Sequence, residues 1–219
     1  MEKLLILWML TLSCTAFGQL RNRPLDFVPK GYCVFDKITG DLNKDGIDDC
    51  VLIIKATDPG RFVTDEYSGK LDRNRRGIVV LLRKDGGYAL ALENDTCFSS
   101  ENEDGGVYFP PELSIDIEKG NLVVLYSHGR YGYWQYTFRY DHSDFDLIGY
   151  DDSSDRGPVV EDATSINFLT HKKEEKININ ENAEGDDEVF KTEWTTVKQS
   201  DLILLSEIKN FDELDMSVY

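Results

Sequence analysis

The chain has 219 residues and carries 41 acidic against 24 basic side chains, which gives a formal net charge of −17 at pH 7. This excess of negative charge argues against nucleic acid and anionic membrane surfaces as partners, because both would repel the protein. It favours solubility, divalent cations and basic protein partners.

The N-terminus predicts export. Residues 1–18 contain an apolar run that is too short to cross a bilayer comfortably, and they end in the small-x-small pattern Ala16-Phe17-Gly18. We therefore expect a secretory signal peptide cleaved before Gln19, no transmembrane segment, and a periplasmic or secreted protein. Cys14 leaves the alternative of a lipoprotein anchor, although the residues before it fit that signal only loosely.

The remaining residues, 19–219, are enough for a single β-rich domain with its own core. Three cysteines remain in this part of the chain: Cys33, Cys50 and Cys97. An oxidising compartment permits one disulfide, and the sequence does not choose among the three pairings. No C-x-x-C pair occurs, so neither a redox motif nor a zinc knuckle is indicated.

Short apolar runs separated by turn residues predict a mainly β protein. Lys84-Asp85-Gly86-Gly87 stands between two such runs, and Asp-Gly in this position is a strong hairpin signal. Three successive hairpins of this kind predict an antiparallel meander. The predicted strands are residues 50–55, 77–83, 88–93, 113–118, 122–127, 133–140 and 145–150.

The C-terminal third is less regular. Residues 164–170 and 189–197 are predicted strands, and the highly charged segment 172–188 between them is interpreted as an exposed connection. Residues 202–214 place apolar side chains on one helical face after Ser200, a candidate cap, and predict a short helix. Leu202 to Leu205 would also suit a strand.

The stretch GDLNKDGIDD at 40–49 has the composition of a calcium loop. Calcium takes six to eight oxygen ligands, and alternate oxygen-bearing side chains around a glycine with positive φ can supply them. An EF-hand would need a glutamate where Leu52 stands within an apolar strand, which excludes a helix–loop–helix sensor. The alternative is an Asx-rich turn whose side chains bond backbone amides. The predicted ligands are Asp41, Asn43, Asp45, the Ile47 carbonyl and Asp49.

The same loop carries a family resemblance. GDLNKDGIDDCVLIIK resembles the FG-GAP and VCBS-type repeats of secreted and cell-surface proteins, in which a D-x-[DN]-x-D-G-x-x-D loop runs into a hydrophobic strand. The resemblance covers residues 33–93 and is specific at the loop. It implies one structural calcium ion. The family builds β-propellers from several repeats, whereas this chain has one such loop. We therefore expect a blade-like, partial propeller-like sheet or a sandwich, followed by the short C-terminal helix.

A second candidate site lies in the aromatic segment from Tyr126 to Tyr140. In residues 133–140 the aromatic side chains at even positions share one strand face, which is typical of a core face. The loop before this strand could hold a binding groove for a glycan or a peptide, because strands often serve to position a functional loop. The candidate ligand-binding residues are His128, Arg130, Tyr131 and Tyr133.

No motif in the chain indicates an enzyme. Neither G-x-S-x-G nor H-E-x-x-H occurs, and acidic pairs are uninformative in a chain with so many carboxylates. The sequence therefore favours an exported, non-enzymatic binding module with one calcium loop and an unidentified protein or glycan partner. Two alternatives remain open: a cell-envelope hydrolase with an acidic cleft and His128 as a participant, and an acidic partner or inhibitor that masks a basic protein.

Overall fold

The computed structural model describes residues 20–103, 111–198 and 201–219. The predicted signal peptide at 1–18, the alternative lipid site Cys14 and the candidate cap Ser200 lie outside these residues. The described part is mainly β with antiparallel sheets, as the hairpin pattern predicts. None of its helices is long and apolar enough to cross a membrane.

The first sheet contains the segment that resembles an FG-GAP repeat. It has four antiparallel strands in the order β1-β2-β5-β6, and a small hairpin of β3 and β4 is inserted between β2 and β5. The strands are β1 (Tyr32–Gly40), β2 (Asp49–Ala56), β3 (Phe62–Asp65), β4 (Gly69–Asp72), β5 (Arg76–Lys84) and β6 (Gly87–Phe98).

The second sheet is an uninterrupted meander of seven antiparallel strands, in which each strand pairs with the next one along the chain. One edge of this sheet is β7 and the other is β13. The strands are β7 (Glu112–Glu118), β8 (Asn121–Ser127), β9 (Gly132–Asp141), β10 (Asp144–Arg156), β11 (Val159–Asn167), β12 (Lys172–Asn178) and β13 (Phe190–Thr196).

The hairpin turns lie where the sequence predicts them. Strand β5 ends at Lys84 and β6 begins at Gly87, so the two strands are joined by Asp85 and Gly86. In the β7–β8 turn both Lys119 and Gly120 have positive φ, at 53° and 76°. Turns of this handedness match the right-handed twist of the strands they join.

A shared core joins the two sheets. Val51 and Ile78 of the first sheet belong to the same cluster of buried side chains as Leu122 and Phe138 of the second. Strands β2 and β5 are buried on both faces, because their other side packs in a second cluster with Phe27. Burial on both faces explains why β2 is a continuous apolar run without polar alternation.

The C-terminal segment forms two 3-10 turns, Leu205–Glu207 and Phe211–Glu213, rather than one continuous helix through 202–214. Leu204 forms an isolated antiparallel bridge with Asp146 of β10, which keeps the backbone extended before the first turn. The side-chain amide of Asn94 donates to the carbonyls of Leu205 and Ile208, at 2.9 and 2.8 Å. A helix would have kept those carbonyls for its own hydrogen bonds.

The interpretation of residues 172–188 as an exposed connection is wrong for its first part, because Lys172–Asn178 forms β12. Its charged side chains pair along the strand, with Lys173 Nζ 2.9 Å from a Glu175 oxygen. Cys33, Cys50 and Cys97 are all free thiols in the structure, and the last two are buried.

Candidate functional site

The acidic loop connects β1 to β2, so both of its ends are held by the first sheet. Lys44 and Gly46 have positive φ, at 61° and 85°. These two left-handed residues turn the backbone back on itself within a few positions.

The side chains of the loop face its own backbone amides. The two carboxylate oxygens of Asp41 accept hydrogen bonds from the N–H groups of Asp45 and Gly46, at 3.1 and 2.9 Å. Asn43 Oδ1 also accepts from the Asp45 N–H at 2.9 Å, and Asp45 Oδ1 accepts from the Ile47 N–H at 2.9 Å. These bonds are the Asx-turn contacts that the alternative interpretation expects.

Asp49 has a different environment from the other predicted ligands. It is the first residue of β2 and is 1% exposed. Its Oδ2 accepts from the Leu42 N–H at 2.9 Å, and its Oδ1 accepts from the Arg83 N–H of β5 at 2.8 Å. Burial raises the pKa of this carboxyl group, while the backbone donors act in the opposite direction. Asp49 therefore ties the loop to β5.

The chemistry of the donor set fits a hard cation, because every side-chain donor at the predicted positions is an oxygen. Each carboxylate oxygen that accepts one amide N–H keeps a second lone pair. Within the described residues no three acidic, histidine or cysteine side chains converge as a metal-binding group. In this structure the loop carboxylates instead accept hydrogen bonds from backbone amides and, at Asp45 Oδ2, from the Asn43 side-chain amide at 3.0 Å.

The second predicted site is divided between two surfaces. The His128 ring packs against Trp134, with 4.1 Å between ring centroids, and its Nε2 is buried without a hydrogen-bond partner among the described residues. Burial lowers the pKa of this imidazole, and the charge of Asp212 acts in the opposite direction. Tyr133 precedes Trp134 on β9, so its side chain lies on the opposite face of the sheet.

The remaining candidate residues are solvent-accessible. Tyr131 and Tyr133 are 44% and 37% exposed, and the Arg130 guanidinium lies 5.5 Å from the centre of the Tyr131 ring. The aromatic residues at even positions of β9 form the predicted core face, with Tyr136 and Phe138 buried. The two tyrosine rings therefore reach solvent, whereas His128 is partly buried against Trp134.

The sequence did not point to a cleft of about 1050 Å³ between β11–β13 and the loop that follows β12. Glu175, Ile177, Lys191 and Glu193 line it, so its wall carries both signs of charge. Glu175 and Ile177 were missed because 172–188 was interpreted as a connection, whereas Lys191 and Glu193 lie in the predicted strand 189–197. The signal was present in Lys176-Ile177-Asn178-Ile179-Asn180, where apolar and polar residues alternate with the period of a strand.

Comparison of the chain with protein-family models found no match, and comparisons with curated proteins and with solved structures found none either. The resemblance of residues 33–93 to FG-GAP and VCBS repeats therefore stays a prediction.

Proposed function

We propose that the chain is an exported, non-enzymatic binding module whose β1–β2 loop is stabilised by one calcium ion. The observation that carries this proposal is the buried carboxylate of Asp49 at the base of a loop in which every predicted side-chain ligand is an oxygen donor. Burying a carboxylate in a chain of net charge −17 is costly. The Leu42 and Arg83 N–H groups offset part of that cost, and a divalent cation would offset more of it.

The ion would be held by Asp41, Asn43, Asp45, the Ile47 carbonyl and Asp49. Its contribution is structural: bound calcium reduces the repulsion among three carboxylates in one short loop. Because β1 is an edge strand of the first sheet, fixing this loop also fixes the end of β1 against β2.

Calorimetric titration of the mature protein with calcium tests the proposal. Binding to the folded state alone should stabilise it by about 2.7 kcal/mol at a calcium concentration of about 100 times Kd, with a matching rise in melting temperature. Magnesium should act more weakly, because it demands near-octahedral geometry and keeps its waters.

A pair of isosteric variants makes the test specific. Asp45→Asn removes a charge from the predicted ligand set and should weaken calcium binding by about tenfold or more. Asp48→Asn makes the same chemical change at an exposed neighbour outside the set and should leave binding unchanged. Equal effects of the two variants, or no calcium response in the wild type, would refute the calcium site.

The binding surface proposed for a glycan or peptide partner is the pair of exposed rings Tyr131 and Tyr133 with Arg130. Support comes from their exposure and from the acidic surroundings of Tyr133, whose pKa is raised by burial and by the nearby charges of Asp151 and Asp152. These charges favour a basic peptide, which also agrees with an acidic protein that masks a basic partner. The wild type should bind a basic peptide in a salt-sensitive way, and Tyr133→Ala should lose that binding.

The cell-envelope hydrolase remains the second candidate. The mixed-charge cleft beside β13 is the feature that favours it. The carboxylates that line this cleft are Glu161, Asp162, Glu175, Glu181, Glu184 and Glu193. His128 does not line that cleft. A substrate panel with Glu175→Gln and His128→Ala variants tests this candidate; uniform inactivity of the wild type would remove it.

A further inference from the structure

Among the described residues, β13 has no strand partner besides β12 and is therefore an open edge of the seven-stranded sheet. It pairs with β12 on one side, and all seven of its residues are exposed. Trp194 and Phe190 are 63% and 39% exposed, which is unusual for large aromatic side chains in a strand. A strand in this position presents unpaired N–H and C=O groups to any chain that can align with it.

Two hydrogen bonds at the ends of β13 show which of its backbone groups face outward. The Ile179 N–H donates to the Val189 carbonyl at 2.7 Å, and the Val197 N–H donates to the His171 carbonyl at 3.0 Å. Both follow the register of the β12–β13 pairing, in which hydrogen-bonded and non-hydrogen-bonded pairs alternate. Odd-numbered residues of β13 therefore bond to β12. The residues whose backbone groups face the open edge are Phe190, Thr192, Trp194 and Thr196.

We propose that β13 pairs antiparallel with β13 of a second copy of this chain, with Thr192 opposite its own equivalent on a twofold axis. In this register the outward-facing residues Phe190 and Trp194 lie opposite each other, and each pair of strands makes this aromatic contact twice. On the other face Lys191 lies opposite Glu193, also twice. Aromatic pairs and opposite charges are both favourable cross-strand neighbours.

The charge pattern selects this register. Antiparallel pairing requires outward-facing residues to meet outward-facing residues, so the strands shift past each other in steps of two. One step in either direction places Lys191 opposite Lys191 or Glu193 opposite Glu193. Like charges directly opposite are destabilising. The sequence Phe-Lys-Thr-Glu-Trp is therefore self-complementary about its central threonine.

The structure also shows that these two charged side chains lie together on one face of the strand. Lys191 Nζ is 2.6 Å from a Glu193 oxygen within one chain. Twofold pairing brings a second such pair alongside and forms a ring of alternating charges. This feature argues for a second copy as the occupant of the edge, because an unrelated strand would have to supply the same pattern.

The dimer is expected to be weak and salt-dependent. A seven-residue strand contributes a small interface, near or below the roughly 1,200 Å² that is the lower limit for stable complexes. The Kd of the dimer should therefore be on the order of micromolar or weaker. Each chain carries a net charge of −17, which opposes association at low salt. Physiological salt screens that repulsion beyond about 8 Å while the interfacial pairs remain in contact.

Sedimentation velocity from micromolar to millimolar protein, at physiological salt, tests the proposal with two charge reversals. Lys191→Glu places glutamates opposite each other, and Glu193→Lys places lysines opposite each other, so each variant alone should be monomeric over that range. An equimolar mixture of the two should form a heterodimer, because every cross-strand charge pair is then opposite. The double variant Lys191→Glu/Glu193→Lys should regain the homodimer.

Restoration by mixing distinguishes a lost interface from a damaged fold. The control is a cooperative unfolding transition in each single variant, because Glu193 pairs with Lys191 and lies opposite Glu175 of β12 within one chain, so the melting temperature itself can shift. A wild type that stays monomeric at millimolar concentration would overturn the proposal. So would single variants that dimerise like the wild type, or a mixture that stays monomeric.

Discussion

Replacing Asp49 with asparagine in the absence of calcium isolates the structural role of its carboxylate. The two oxygens accept the Arg83 and Leu42 N–H groups at 2.8 and 2.9 Å, and the residue is 1% exposed. Asparagine has one oxygen and one NH₂ group, so one of the two backbone N–H groups would face the NH₂ group, which is itself a donor. Hydrogen bonds to a charged group contribute about 1.5–3 kcal/mol, and an unsatisfied buried N–H costs about 1–3 kcal/mol. We expect a loss of about 2–4 kcal/mol in the free energy of unfolding, since the two contributions overlap.

Urea unfolding in excess chelator measures this loss, with Asp48→Asn as the control at an exposed neighbouring carboxylate. The control should stay within about 0.5 kcal/mol of the wild type, as is usual for surface substitutions. A loss below about 1 kcal/mol for Asp49→Asn would refute the reasoning, because neither hydrogen bond would then contribute as a buried charged bond. Repeating the experiment with calcium adds any contribution from the bound ion.

Three further predictions concern the core, acid pH and a glycine. Phe211→Ala should cost about 3–5 kcal/mol in urea unfolding, because its buried ring contacts four other aromatic rings, whereas Val218→Ala, at a 69% exposed position, should change stability little. Burial lowers the pKa of His128 despite the charge of Asp212. The neutral imidazole therefore contributes its full stability above about pH 6.5, and this contribution is lost as pH falls toward the lowered pKa. His128→Phe should remove that part of the pH dependence of the free energy of unfolding. Gly77→Ala should destabilise by about 1–3 kcal/mol in the same assay, since a Cβ there would lie 2.3 Å from the backbone of β6.

Much of the strand pattern was predictable because the chain alternates short apolar runs with turn residues. Residues 50–55 lie within β2, and the Asp85-Gly86 turn joins two strands as predicted. In such hairpins the strand pairing is local in sequence, so composition and turn chemistry are enough to identify it.

The C-terminal segment shows why its conformation could not be predicted from the local sequence pattern. The apolar positions of 202–214 satisfy a helical period, yet their conformation is decided by partners far away in sequence. Asn94 holds the carbonyls of Leu205 and Ile208, and Phe211 stacks on Phe98 at 5.1 Å between ring centroids. Tertiary contacts of this kind override propensity, especially in a segment too short to form a stable helix alone.

In the candidate metal loop, too, some contacts are local in sequence and others are not. Residues 41–47 bond within the loop itself, and their spacing was sufficient to predict a tight turn rich in oxygen donors. The hydrogen bond between Asp49 and Arg83 spans 34 positions, so its existence depended on the pairing of β2 with β5. The sequence therefore identified the donor chemistry of Asp49 and not its role in tying two strands together.

The calcium loop and the open edge of β13 both lie in a strongly acidic chain, but in different sheets. The loop belongs to the first sheet and β13 to the second, so the two proposals can fail independently. Asp45→Asn should leave dimerisation through β13 intact, and Lys191→Glu should leave calcium binding intact. A calcium dependence of dimerisation that persists in Asp45→Asn would mean that cations act by screening the whole acidic chain. Dependence that disappears in that variant would mean instead that the loop and the edge are coupled through the shared core.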